Sequence, residues 1–125
     1  MIHQRVSVFC ASSNKVDKIY FDAARKLGLA LTDQGIAANY GGGGVGLMGA
    51  LADTMMEGGG SIRGIIPEFM VDQGWNHPRV KDMLIVKDMH ERKKKLTEHI
   101  DAFIALPGGV GTLEELLEMM THKQL

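Results

Sequence analysis

The 125 residues suffice for one domain, and with 45% apolar and 23% charged residues the chain can bury a core and is not disordered. A net charge of −1 offers no overall positive field for nucleic acid. The single cysteine excludes an internal disulfide, and no apolar run approaches the roughly 20 residues of a membrane span. Because the first residues also lack the pattern of a signal peptide, we expect a cytoplasmic protein.

Short apolar runs alternate with amphipathic segments along the chain. Strands are predicted at residues 6–10, 36–40, 61–66, 83–86 and 102–106. Helices are predicted at residues 17–33, 47–57, 88–99 and from 113 onward. The first helix is expected to bury a stripe formed by Ile19, Ala23, Leu27 and Ala30. Residues 67–82 are interpreted as irregular, with at most a short helical turn.

This alternation predicts a three-layer α/β fold with a parallel sheet and right-handed crossovers. Ligands of such folds bind at the carboxyl ends of the strands, near the point where the strand order reverses. Four loops should converge there, at residues 12–13, 41–46, 88–93 and 107–112. The last helix runs to the chain end with no following strand, so the fifth strand would form an edge. This indicates a truncated chain, or an edge that another subunit covers.

The loop at residues 107–112 organises the chain because a buried strand passes through glycines into a helix start. The first N–H groups of a helix have no internal partner and lie at the positive end of its dipole, so they bind anions. Glycines let a ligand approach the backbone, Thr112 adds a hydroxyl, and Glu115 places a carboxylate one turn further. We predict that this loop holds a phosphate and that Glu115 acts on the adjacent bond. The competing interpretation is structural, since Thr112 and Glu115 have the spacing of a capping box.

The glycine run at residues 41–46 formally fits G-x-G-x-x-G, but so glycine-rich a segment matches easily. It follows the second strand rather than the first, and no acidic residue ends the third strand as a dinucleotide site requires. No Gly-Lys-Ser/Thr follows it either. The run is therefore either a tight turn without a ligand or a place where the backbone approaches a phosphate or sugar.

The basic run at residues 92–95 opens the fourth helix. Lys94 and Lys95 are interpreted as a solvated face, whereas Arg92, near the open edge of the sheet, is suited to recognise phosphate or carboxylate through its planar fork. Cys10 is interpreted as a small buried hydrophobe rather than a nucleophile. The five histidines show no metal-binding spacing, so we predict no metal.

Two motifs at the usual interval, M-H-E-R-K at 89–93 and P-G-G-x-G-T-x-x-E at 107–115, resemble the LOG ("Lonely guy") family of cytokinin riboside 5′-monophosphate phosphoribohydrolases. Such proteins were long mislabelled lysine decarboxylases. The segments F-C-A-S-S at 9–13 and G-G-G-V-G-L-M-G at 42–49 also resemble that family, so the resemblance spans the chain.

The resemblance implies a Rossmann-like fold and a homodimer with active sites near its interface. It implies hydrolysis of the N-glycosidic bond of purine or cytokinin nucleoside 5′-monophosphates of the AMP type to free base and ribose 5-phosphate, without a cofactor. Arg92 and Glu115 would be the catalytic pair and would also contact the nucleotide. The other implied substrate-binding residues are Ser12, Ser13, Gly43, Gly44, Met89, Lys93, Gly108, Gly109, Val110, Gly111, Thr112, Leu113, Glu114 and Thr121.

The chemistry agrees with these roles, because a carboxylate can stabilise the oxocarbenium character that develops on the ribose or orient water. A helix start favours the charged carboxylate, so an electrostatic or water-orienting role for Glu115 is favoured over strong base catalysis. The alternative is a non-catalytic nucleotide-binding or carrier module that uses the same loop. Family members usually continue past Leu125, so we expect one Rossmann-like domain over residues 1–125 that lacks the C-terminal portion of the family's domain.

Overall fold

The computed structural model describes residues 4–11 and 15–106, which form a parallel sheet and its flanking helices. The elements are, in chain order, β1 (Arg5–Phe9), α1 (Lys18–Asp33), β2 (Ala37–Tyr40), α2 (Gly46–Glu57), β3 (Ile62–Pro67), α3 (Glu68–Asp72), β4 (Met83–Val86), α4 (Met89–Thr97) and β5 (Ala102–Ala105). Strand order in the sheet is β4-β3-β2-β1-β5, and all four strand pairs are parallel. Strands β2, β3 and β4 follow one another on one side of β1, whereas β5 lies on its other side, so the order reverses between β1 and β5.

The two faces of the sheet carry separate apolar clusters, as successive side chains of a strand point to opposite faces. Val8 belongs to the larger cluster, beneath α1 and α2, with Leu51 and Met55 of α2. The next residue, Phe9, belongs to the smaller cluster with Ile65 and with Leu96 of α4. Helices therefore cover both faces, and the predicted three-layer α/β fold with a parallel sheet is confirmed.

The predicted apolar stripe of α1 is only partly confirmed: Leu27 is half-buried against the larger cluster, but Ile19 and Ala30 are exposed. Ile19 is 68% exposed, and the buried residues of the helix are Ala24, Gly28 and Leu31. A Cβ placed on Gly28 would lie only 3.2 Å from the Thr54 side chain of α2. Small residues thus let the two helices approach closely, and this contact, rather than the most apolar stripe, decides which side of α1 is buried.

Helix α4 begins at the predicted cap and ends earlier than predicted. The Asp88 side chain accepts the N–H of Glu91 at 2.9 Å, as an N-cap does. The Glu91 carboxylate accepts the N–H of Lys87 at 3.0 Å, one residue before the cap. The helix ends at Thr97, and His99, predicted as helical, has a positive φ of 57°. No helix within residues 15–106 combines the length and apolar character needed to cross a membrane.

Candidate functional site

The glycine turn that follows β2 is shaped by close neighbours on two sides. Gly42 has φ +84°, a conformation that glycine adopts without strain. A Cβ on Gly41 would collide with the guanidinium group of Arg92, and one on Gly44 would lie 3.1 Å from the His77 backbone. The small size of these residues is therefore required by protein neighbours, which supports the tight-turn interpretation, and it also leaves main chain bordering a cleft.

The hydroxyl of Tyr40, the last residue of β2, fixes this turn from inside. Tyr40 is fully buried, and its O–H donates to the carbonyl oxygen of Gly43 at 2.9 Å. Burial raises the pKa of the phenol, and the nearby ionisable groups of Cys10 and Asp53 raise it further. Tyr40 therefore stays protonated and remains a hydrogen-bond donor to the turn.

Arg92 extends from α4 across the end of β3 to the end of β2. It is only 5% exposed, and its Nε donates to the carbonyl of Ile65 at 3.0 Å. Its Nη2 donates to the carbonyl of Gly41, and its Nη1 lies 3.8 Å from the sulfur of Met89. Two main-chain acceptors therefore hold the plane of the guanidinium group and offset part of the cost of burying its charge.

A cleft of about 630 Å³ opens at the carboxyl ends of β2 and β3, within the size range of small-molecule sites. Gly43 and Gly44 border it, and Arg92 contributes the positive charge. Its remaining wall is largely apolar and includes the side chains of Val45, Met48, Ile66, Met70, Trp75 and Pro78. Among the residues that the structure describes, the cleft therefore combines the fixed cation of Arg92 with apolar and aromatic surface.

One wall of the cleft is the segment at residues 73–80, which backbone hydrogen bonds attach to the glycine turn. The N–H of His77 donates to the carbonyl of Gly42 at 2.8 Å, and Asn76 forms an antiparallel bridge with Gly43. The N–H of Trp75 donates to the carbonyl of Met70 at 3.0 Å. This wall segment (residues 73–80) therefore has a defined conformation, although it contains no helix or strand.

A buried histidine attaches the wall segment to α2 as well. His77 Nε2 lies 2.7 Å from the Asp53 carboxylate, and His77 Nδ1 accepts the N–H of Arg79 at 3.0 Å. Since Nδ1 accepts, the proton is on Nε2, and the imidazole donates to Asp53. Arg79 Nη2 also donates to Asp53 at 2.8 Å. This Asp53–His77–Arg79 cluster therefore links the wall segment to the helix below it.

The structure brings three of the predicted site residues, Gly43, Gly44 and Arg92, to the same cleft. Met89 contacts Arg92 from the first turn of α4, whereas Lys93 is not among the described residues that line the cleft. The predicted site residues at 12–13, 108–115 and 121 lie outside the described residues, so the pairing of Arg92 with the carboxylate at 115 stays a prediction.

Sequence reasoning missed the wall segment, because residues 67–82 were interpreted as irregular. The available signal was its position: it follows β3, whose carboxyl end lies at the same edge as the other loops. The G-W-N-H-P sequence at 74–78 places a tryptophan and a histidine in that loop. A loop at this edge that carries such side chains is a candidate ligand contact.

Other predicted residues behave as expected where the structure describes them. Cys10 is 2% exposed at the end of β1, as a small buried hydrophobe. Lys94 is exposed, and the Lys95 ammonium group forms an ion pair of 3.0 Å with Glu98, consistent with a solvated basic face.

A parallel sheet covered by helices on both faces, with a cleft at its carboxyl edge, defines a Rossmann-like α/β protein. The molybdenum cofactor carrier protein of Chlamydomonas reinhardtii matches with a TM-score of 0.84 and 18% identity, over 98% of this chain and 73% of that chain. The molybdenum cofactor binding protein of Rippkaea orientalis matches with a TM-score of 0.83 and 20% identity, over 98% of this chain and 74% of that chain. At these identities the likeness shows the fold alone.

Sequence comparison identifies the family. The model described as "Possible lysine decarboxylase" matches residues 48–125. A probable cytokinin riboside 5′-monophosphate phosphoribohydrolase of Oryza sativa subsp. japonica is 48% identical over 121 residues, which cover 97% of this chain and 54% of that protein. A cytokinin riboside 5′-monophosphate phosphoribohydrolase of Arabidopsis thaliana is 46% identical over 122 residues, which cover 98% of this chain and 57% of that protein. The chain belongs to the LOG family, as its motifs predicted, and spans little more than half the length of these relatives.

Proposed function

We propose that the protein hydrolyses the N-glycosidic bond of purine or cytokinin nucleoside 5′-monophosphates to free base and ribose 5-phosphate. The names of its relatives support this activity. The structural observation that carries the proposal is the buried guanidinium of Arg92, held by two main-chain carbonyls at a cleft on the sheet edge where such folds bind ligands.

The proposed role of Arg92 is to bind the phosphate of the substrate. Cleavage develops positive charge on the ribose, so a cation beside the anomeric carbon would oppose the reaction. A cation on the 5′-phosphate instead holds the sugar in place. The carbonyls of Ile65 and Gly41 already fix the guanidinium plane, which lowers the entropy lost when the phosphate binds.

The proposed role of Glu115 is to stabilise the positively charged ribose and to orient the attacking water. Water adds its hydroxyl group to the anomeric carbon as the carbon–nitrogen bond breaks, and the base leaves with the remaining proton. The assignment rests on the motif at 107–115 and on the family, and the proposed phosphate site of the loop would place this carboxylate beside the sugar.

Incubation with AMP and with its N6-isopentenyl analogue, followed by chromatography of the free base, tests the proposal. We expect base release from at least one of them, and Glu115→Gln should abolish release while leaving nucleotide binding largely intact. Glu57→Gln, which alters an exposed carboxylate at the end of α2, is the matched control and should retain activity. Tight AMP binding by a folded chain without base release would indicate a nucleotide-binding or carrier module instead.

We further propose that the protein acts as a homodimer, which the family resemblance implies. Two adjacent apolar residues of the outer strand β4, Leu84 and Ile85, are exposed and offer surface for such a contact. Sedimentation equilibrium should give twice the mass of one chain, and a single-chain mass under assay conditions would contradict the proposal.

A further inference from the structure

Trp75 is an unusual residue on the wall of the cleft, because its large apolar side chain is 56% exposed. Tryptophan is on average a highly buried residue type, whereas this exposed tryptophan borders a cavity with a largely apolar lining. The other exposed aromatic of this region, Phe69, is 49% exposed on α3 but does not border the cleft. Trp75 is thus the aromatic side chain that the described part of the cleft presents to a ligand.

The backbone that carries this indole is held in place on both sides. Before it, Gly74 adopts φ +77°, and the N–H of Trp75 itself bonds to the carbonyl of Met70. After it, Asn76 bridges to Gly43, and His77 is held by Asp53 through its ring. An aromatic residue on an anchored backbone loses little conformational entropy when a ligand binds, so it is suited to act as a preformed platform.

The surroundings of Trp75 indicate which ligand surface would contact it. The same cleft contains the thioether side chains of Met48 and Met70, which pack well against aromatic rings. Gly43 and Gly44 present their main chain to the same cleft. With Arg92 as the cation, the cleft is complementary to a ligand that joins an anion to a planar aromatic ring.

We infer that the base of the bound nucleotide stacks on the Trp75 indole, which makes Trp75 a specificity-determining residue of this protein. The inference rests on the proposed function for the identity of the ligand, but it concerns binding of the base and is independent of bond cleavage. Ribose 5-phosphate, which has the same sugar and phosphate without the base, therefore does not engage this platform.

Fluorescence provides a direct test, because Trp75 is the only tryptophan of the chain. AMP should quench the indole emission, read in stopped flow before turnover, whereas ribose 5-phosphate should bind without changing it. Trp75→Ala should weaken AMP binding by about tenfold, the typical contribution of one base–aromatic stack. Ribose 5-phosphate affinity should change less than about twofold, and Trp75→Phe should retain most of the AMP affinity. Phe69→Ala, outside the cleft, is the matched control and should leave both affinities unchanged.

Three results would overturn the inference. The first is AMP binding, measured by calorimetry, without any change in indole emission. The second is an equal loss of affinity for AMP and for ribose 5-phosphate in Trp75→Ala, and the third is a Trp75→Ala variant that binds AMP normally and changes only its oligomeric mass. These results are distinct from failure of the proposed function. Quenching by AMP without base release would contradict hydrolysis and support stacking. Base release that Trp75→Ala leaves unaffected, with unchanged AMP affinity, would contradict stacking alone.

Discussion

Replacement of His77 by alanine tests whether the Asp53–His77–Arg79 cluster holds the wall segment in place. The variant removes the hydrogen bond from Nε2 to the Asp53 carboxylate and the bond from the Arg79 N–H to Nδ1. The His77 ring is buried, but its partners reach the surface, so both bonds are only partly shielded from water. The backbone bond from the His77 N–H to Gly42 does not depend on the side chain and should persist.

The expected loss follows from the two bonds. A hydrogen bond to a charged acceptor contributes about 1.5–3 kcal/mol, and a bond between neutral groups contributes about 0.5–1.5 kcal/mol. Asp53 is partly exposed and keeps its bond to Arg79, whose side chain is exposed, so water can replace part of what is lost. We therefore expect the free energy of unfolding to fall by about 2.5 kcal/mol, in the lower part of the summed range of about 2–4.5 kcal/mol.

Urea denaturation of the parent and of His77→Ala measures this difference, with the slope against urea expected to stay the same. His90→Ala is the control, because His90 is an exposed residue of α4, and its effect should stay within about 0.5 kcal/mol. If His77→Ala lowers the free energy of unfolding no more than His90→Ala does, the cluster does not stabilise the wall segment and this reasoning is refuted.

Two further predictions concern buried hydroxyl groups. Because burial raises the folded-state pKa of Tyr40, its stabilising effect is complete below the ordinary tyrosine pKa of about 10 and is lost as pH rises above that value. Above about pH 10 the parent should therefore lose up to about 1.4 kcal/mol of unfolding free energy per pH unit. The free energy of unfolding of Tyr40→Phe should fall less steeply with pH, and identical slopes for the two proteins would contradict this. Ser7 is fully buried in β1, and its Oγ donates to the carbonyl of Leu96 near the end of α4. Ser7→Ala should therefore lower the free energy of unfolding by about 1–2 kcal/mol, measured by thermal or urea denaturation. An unchanged free energy of unfolding would exclude a stabilising bond.

Local sequence patterns determined the elements and their parallel arrangement. The predicted strand at residues 83–86 has the same bounds as β4, and Asp88 caps the following helix as its spacing indicated. Hydrophobic periodicity and capping act between residues close in the chain, so they can be read without a structure. The alternation of strands and helices then required parallel strands, whose carboxyl ends meet at one edge, and this rule anticipated that Gly43, Gly44 and Arg92 would share a cleft.

Only the tertiary structure decided how that cleft is built. The sequence predicts Arg92 as a ligand for phosphate or carboxylate, but it does not show that the guanidinium is buried against Gly41, which lies 51 residues earlier in the chain. The wall segment has no periodicity, and His77 bonds to Asp53 of α2, which lies 24 residues earlier in the chain. Contacts between distant residues depend on how helices and strands pack, and this packing also buries Gly28 rather than Ile19 in α1. Local patterns specify which elements form, but side chains that meet only after folding determine the shape and charge of the site.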